Sequence, residues 1–422
     1  MMPQPPQIEP MILSHLALPV TRVMPNGVSL YHLQGEDKGV VRLDILFSGG
    51  YSVQHKPLQA LFTNRMLREG SDGYSGAEIS RRLDYYGAWI DMYSSQGCNH
   101  IILYVLAKHF PLLLPVVEDF VKRPLFPQEN LDVVRRNNKA HFLINSQKVD
   151  VVAQRHFERT LWGESHPLGR LVESGDYDAI TRDDLRQYFD EVYSNKNCML
   201  ILSGTQNKAV VDAIVSAFGN MEWGAADKVS VHMAPPSPQP GKQKIVLENT
   251  LQSAVKVGCL ALPSTHPDFF DLRFLNVLLG GYFGSRLMSN IREENGYTYD
   301  IISEIDAYGK DNVFVVSSQA ATEYVEPLLE ELYKEMERLQ NEEIPAEEVE
   351  LVRNYIMGEL CREYEGAMAK SEVFVNAWLS GDGFDSVNRY IDAIKLVTPQ
   401  KLQLVARKYL QRDKMFEIVV GA

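Results

Sequence analysis

At 422 residues, 45% hydrophobic and 23% charged, the chain is long enough for two or more domains, and its composition is that of a soluble globular protein. The net charge of −13 argues against nonspecific nucleic-acid binding and against docking on anionic membranes. No apolar run approaches the length of about 18 residues that a spanning helix needs, so no membrane segment is expected.

The opening stretch, MMPQPPQIEPMILSH, lacks the basic region and long apolar run of a signal peptide, which makes the cytoplasm the expected location. Cys98, Cys198, Cys259 and Cys361 are scattered, with no CxxC, and are expected as free thiols in a reducing compartment. Residues 41–50 and 100–108 read as strands from their β-branched content. Residues 57–70 and 75–87 read as helices, with Ser75 as N-cap and Glu78 completing a capping box. HMAPPSPQPGKQ, residues 232–243, reads as a linker between halves spanning 1–231 and 244–422. Beyond it, KIVLENT, SAVKVGCLAL and NVFVVSSQ read as strands, and residues 326–343 as an amphipathic helix.

The halves look like copies. Residues 179–204 match 396–421 at a constant offset of 217, pairing Thr181 with Thr398, Leu185 with Leu402 and Gly204 with Gly421. Each segment reads as a capped helix, a turn and a terminal strand, with Pro399 suited to a first helical position. Residues 126–136 match 344–354 at an offset of 218, pairing Pro127 with Pro345 and Arg135 with Arg353. Internal duplication of an α+β unit follows.

The run FSGGYSVQHKPLQALFTNRMLREG, residues 47–70, ends in Met66, Leu67 and Gly70. It resembles the motif helix of the M16 (pitrilysin and mitochondrial-processing-peptidase-like) zinc peptidases, whose H-x-x-E-H precedes a Met-Leu-x-x-Gly run. On that resemblance the first His falls on Leu61, the general-base Glu on Asn64 and the second His on Arg65. The third ligand, a Glu, falls near Phe142 in NNKAHFLINSQ, which holds no carboxylate. Zinc needs lone pairs from imidazole, thiolate or carboxylate, whereas Leu61 offers none and Arg65 only donates. None of the ten histidines begins H-x-x-E-H or H-E-x-x-H. No metal is therefore expected on this chain, and no peptidase activity from it alone.

The second half keeps FLNVLLGGYFGSRLMSNIREENGYTYDI, residues 274–301, which resembles the family's second signature. Gly280, Gly281, Gly284, Ser285, Arg286, Leu287, Arg292, Glu293, Gly296 and Tyr299 match it. No GK[ST] follows the glycines, and GGYFGS is not GxGxxG, so nucleotide binding is excluded. In the family the Arg/Tyr pair, here Arg292 and Tyr299, faces the zinc and helps hold the peptide and the developing oxyanion. The resemblance implies two α/β-sandwich halves of the LuxS/MPP-like metallohydrolase fold in a clamshell. It also implies a substrate-binding role for Arg292, Tyr299, Gly280, Gly281 and Gly284. A lost zinc motif beside an intact Arg/Tyr segment matches the noncatalytic subunit of a heterodimeric peptidase. The expected partners are an H-x-x-E-H-containing homologue carrying the zinc, and a peptide. The alternatives are a structural or assembly protein, like respiratory-complex core subunits, and a stand-alone peptide-binding protein.

Overall fold

The computed structural model describes residues 13–33, 39–230, 236, 238 and 241–421. Most of the expected linker lies outside them. The first half runs β1 (Val20–Val23), β2 (Ser29–Leu33), β3 (Val40–Ser48), α1 (Gln59–Met66), α2 (Gly76–Tyr85), β4 (Trp89–Ser94) and β5 (Cys98–Leu106). It continues with α3 (Phe110–Lys122), α4 (Gln128–Asn145), α5 (Val149–Trp162), α6 (Ser174–Ala179), α7 (Arg182–Val192), β6 (Cys198–Gly204) and α8 (Lys208–Ile214). The second half runs β7 (Lys242–Val246), β8 (Ser253–Ala261), α9 (Phe269–Gly280), β9 (Thr298–Tyr308), β10 (Asp311–Ala320) and α10 (Val325–Asn341). It closes with α11 (Ala346–Glu363), α12 (Gly366–Leu379), α13 (Ser386–Leu396), α14 (Pro399–Tyr409) and β11 (Phe416–Gly421).

The two sheets have the orders β1-β2-β6-β3-β5-β4 and β7-β11-β8-β10-β9. Apart from the added β1 they are one topology. The first strand lies parallel to the last (β2 on β6, β7 on β11), and every other pairing is antiparallel. The sequence repeats sit where this demands. Thr181 and Thr398 both cap, accepting from the backbone N–H groups of Asp184 and Lys401, and Pro127 and Pro345 precede α4 and α11. Ser75 caps α2, but the Glu78 carboxylate turns to Arg82 at 3.0 Å, so that capping box is half formed.

A third correspondence, at an offset of 212, was not legible in the sequence. From Gln59 to Leu67 and from Asp271 to Leu279, α1 and α9 differ in burial only at Arg65, exposed where Val277 is half-buried. Gln59 donates to the Asp184 carbonyl at 2.7 Å, while Asp271 pairs with Lys401 at 2.7 Å, tying α1 to α7 and α9 to α14. Asn64 pairs in this way with Asn276, and Leu61 with Arg273.

Each sheet packs one face on its own helices. In β3 this face carries Leu43, Ile45 and Phe47, against α1, α3 and α7; in β8 it carries Val255 and Val257. The other face is covered by a helix from the opposite half. Val149, Ala153, Phe157 and Leu161, four apart on one stripe of α5, bury against Val313, Val315, Phe416, Ile418 and Val420 of the second sheet. Phe374 and Val375 of α12 bury against Leu33, Leu46, Met199 and Ile201 of the first. The exchange also carries charge. Arg42 of β3, 2% exposed, grips Asp44 through Nε and Nη2 at 2.9 and 2.8 Å. Its Nη1 donates to Glu372 at 2.8 Å and to the Met368 carbonyl at 3.1 Å, both on α12, and Asp44 accepts from Ser371 Oγ at 2.8 Å.

All four cysteines are free thiols, and burial pushes the Cys98 and Cys198 thiols well above their ordinary range. Among the described residues no helix is long and apolar enough to cross a membrane.

Asp44→Ala leaves the Arg42 guanidinium buried without its bidentate partner. The expected cost is about 3–5 kcal/mol, read as a lower urea midpoint. An unchanged midpoint would show that the pair does not hold α12 in place.

Candidate functional site

The lost-motif helix α1 is bound into the fold on the side facing α7 and the sheet. Thr63 Oγ1 donates to the Gln59 carbonyl at 2.8 Å. Asn64, where the resemblance places the general base, is fully buried and donates from Nδ2 to the carbonyls of Tyr93 at 2.7 Å and His100 at 3.1 Å. Its amide fastens the helix to the β4–β5 pair, and its Oδ1 has no partner. An amide cannot take a proton from water as a carboxylate would.

Arg65 reaches across to Asn138 of α4, and Phe142 lies one turn further along α4. The two helices are thus neighbours, as a three-ligand site would require. Their side chains do not fit zinc. Leu61 is alkyl, Arg65 is a cation committed to Asn138, and Phe142 packs at a tilt against Tyr177, centroids 5.2 Å apart, with the Arg155 guanidinium 5.1 Å over its ring. Among the described residues no three His, Cys, Asp or Glu side chains gather into a metal-binding group.

Leu61 opens onto a chamber of about 880 Å3 between the halves. Tyr51, Leu58, Ser95 and Gln96 line it from the first half; Phe270, Arg273, Ile305, Tyr308 and Tyr390 line it from the second. Helix α5 projects Glu158 into it. This carboxylate accepts from Gln154 at 2.8 Å and Tyr308 at 3.3 Å, yet burial holds its pKa above the usual carboxylate range. Burial also lowers the nearby Lys256. Sequence reasoning missed Glu158, Tyr308 and Arg273. The pairing of Leu61 with Arg273 was the available signal, but α1 and α9 share too few identical residues to reveal it.

The retained second signature divides into packing and presentation. A Cβ on Gly280 would lie 2.7 Å from Ser303 Oγ, and one on Gly281 2.6 Å from Val277 Cα, so both glycines permit the close approach of α9 to β9 and its own turn. Gly284 is exposed next to Phe283. Arg286 is locked to Glu348 by two bonds of 2.8 and 2.7 Å. Arg292 differs. It sits in a widened turn, marked by the bond from Asn295 N–H to the Asn290 carbonyl five residues back, a form that occurs frequently at functional sites. Its guanidinium lies between the rings of Phe283 and Tyr299, at 4.6 and 5.1 Å, with no hydrogen-bond or ion-pair partner among the described residues. Tyr299, on edge strand β9, is 84% exposed. Neither residue lines the chamber of this chain.

With this geometry in place, comparison with known proteins is informative. The family profile described as Peptidase M16 inactive domain matches residues 179–356, across the linker. The chain is 21% identical, over 85% of its length and 87% of the relative's, to an uncharacterized zinc protease YmxG of Bacillus subtilis. Among solved structures it resembles a peptidase M16 inactive domain from Pseudomonas fluorescens, with a TM-score of 0.85, 21% identity and coverage of 96% and 98% of the two chains. The chain is similar to M16 peptidase proteins, in sequence over residues 179–356 and in fold over nearly its whole length. A protease from Helicobacter pylori shares the fold at a TM-score of 0.86 and 15% identity, covering 97% of this chain and 100% of that one. The α+β architecture with two sheets is therefore the one these solved M16-type structures have.

His100, beneath the lost site, stacks on Tyr93 at 4.3 Å, and burial, reinforced by Arg42, pushes its pKa down to about 4. The folded state thus favours the neutral ring. Its contribution is complete above the unfolded value of about 6.5 and is lost as pH falls toward 4. The unfolding midpoint is expected to drop across this window in the native chain, and His100→Gln is expected to flatten that part of the slope. Equal slopes would remove His100 from the acid response.

Proposed function

We propose that this chain is the noncatalytic, substrate-binding subunit of a two-chain, cytoplasmic M16-type zinc peptidase. Its partner is an H-x-x-E-H homologue that carries the zinc and the general base. This chain supplies Arg292 and Tyr299 in trans, with the Gly280, Gly281 and Gly284 turn holding their segment in place. One observation carries the reading. Of the two arginines in the retained signature, Arg286 is spent on Glu348, while Arg292 is held between two rings with no donor engaged among the described residues. Stacking fixes the guanidinium plane and leaves its edge available to a carbonyl or oxyanion. The Tyr299 hydroxyl, on an exposed side chain with no hydrogen-bond partner among the described residues, can donate to the same developing charge. Exposure of Phe283 and Tyr299 around an arginine is also the composition of an interface centre. Peptide would add as an extended strand to a sheet edge, held by backbone hydrogen bonds.

A second reading has its own support. The fold also matches a chain of Complex III2 from Candida albicans, with a TM-score of 0.76, 13% identity and coverage of 95% of each chain. A relative from Helicobacter pylori is described as a non-peptidase homolog, 23% identical over 61% of this chain and 60% of its own length. These favour a structural or assembly role with no part in proteolysis.

The two readings separate in one experiment. This chain is assayed for peptidase activity and zinc alone, and again when co-expressed with an H-x-x-E-H homologue. Activity and zinc only in the mixture, with the metal on the partner, is the expected result. Zinc and cleavage by this chain alone would overturn the proposal. Within the active complex, Arg292→Ala or Tyr299→Phe is expected to lower turnover by about tenfold to a few hundredfold, since one oxyanion donor contributes roughly 3 kcal/mol. Size-exclusion chromatography should show the complex intact. Full activity in an intact complex would leave the assembly reading.

A further inference from the structure

The repeat correspondence puts Arg273 of α9 where α1 has Leu61, and both line the chamber. In the first repeat this position is apolar. In the second it is a cation set in an aromatic and aliphatic wall that includes Phe269, Phe270, Leu360, Tyr364 and Tyr390. The Arg273 guanidinium lies 4.0 Å over the Tyr390 ring. Among the described residues it has no hydrogen-bond or ion-pair partner. Arg292 aside, buried and half-buried arginines such as Arg42, Arg286 and Arg353 are committed: Arg42 to Asp44 and Glu372, Arg286 to Glu348, Arg353 to the Ile394 and Val397 carbonyls. A guanidinium offers five donors in a planar fork, and stacking on Tyr390 fixes that plane without using them.

We propose that Arg273 anchors a ligand site inside the chamber for an organic carboxylate joined to an apolar body, of which the C-terminal carboxylate of a peptide ending in an apolar residue is one source and a free aromatic acid another. The fork takes both carboxylate oxygens, and the wall buries the apolar body. A chamber of about 880 Å3 lies within the size range of ligand pockets. Glu363 also lines the chamber, and its charge, like that of Arg273, acts on Tyr364 and Tyr390, but no ion pair joins the two. It is the competing anion that a ligand carboxylate must outmatch. This site belongs to the chain by itself. It needs neither a partner nor zinc, so its failure and that of the trans mechanism are separable.

The test is isothermal titration of the full chain with N-acetyl-Ala-Phe as the free acid, with its C-terminal amide, and with 3-phenylpropionate. The free acid is expected to bind, and the amide to bind about tenfold more weakly or worse. Arg273→Met is expected to lose about tenfold or more for the acid, with Arg273→Lys recovering part of it. Glu363→Gln is expected to tighten acid binding by removing the competing charge. If 3-phenylpropionate binds as well as the peptide acid, the site stands and its source is a small aromatic acid. Absence of acid binding, equal binding of acid and amide, or an undiminished Arg273→Met variant would each overturn the site. The acid–amide comparison uses the unsubstituted chain, so it holds even if a variant fails to fold.

Discussion

The exchange of α5 and α12 between the halves is the constraint on which the rest of the structure depends. A sheet with helices on one face leaves its other face needing cover. Here each half covers the other's sheet, so neither is complete alone. The apolar contacts of Phe157 and Phe374 provide burial, and the Arg42–Asp44–Ser371–Glu372 network fixes how α12 lies on β3. Gly258 shows how closely the other side fits, since a Cβ there would meet the Phe157 ring at 3.0 Å. The linear division at the linker is therefore a division of sequence and not of packing. The same exchange encloses the chamber, because α5 brings Glu158 to its wall from the first half while β9 brings Ile305 and Tyr308 from the second.

Within that frame the two motif positions have separated in physical character. The first has been rebuilt as a structural support. Asn64 satisfies two sheet carbonyls that a charged base would have met at a desolvation cost, and Arg65 bridges to Asn138 where two metal ligands would have converged. The second has kept its presentation. A widened helical turn holds Arg292 between two aromatic rings, one of them on edge strand β9, with no hydrogen-bond or ion-pair partner among the described residues. A half-buried arginine held against two exposed rings adds little stability compared with full burial of an apolar side chain. That contrast is the physical support for the role proposed for Arg292.

The pseudo-symmetry of the repeats extends this to the chamber. Leu61 and Arg273 occupy one place in two copies, and Asn64 and Asn276 both donate to a sheet carbonyl and leave Oδ1 unpartnered. The repeats set two equivalent positions on the wall of one cavity. Divergence has made one apolar and the other cationic.

The sequence by itself determined a good part of this. The α+β class, the strands at β3, β5, β8 and β10, the caps at Ser75, Thr181 and Thr398, and the duplication at offsets of 217 and 218 all rest on local chemistry: β-branched runs, side-chain oxygens at helix starts, and paired turns. The unsuitability of Leu61, Arg65 and Phe142 as zinc ligands was equally legible, because it depends only on which side chains carry lone pairs. What tertiary structure decided is what depends on distance. Which arginine of the second signature is committed and which is presented follows from the position of Glu348, 62 residues away from Arg286. The crossing of α5 and α12 follows from pairings between halves, and an apolar helical stripe does not specify which sheet it will cover. Nothing in the local sequence marks Arg273; its role follows only once the fold sets it with Leu61 on the wall of one chamber.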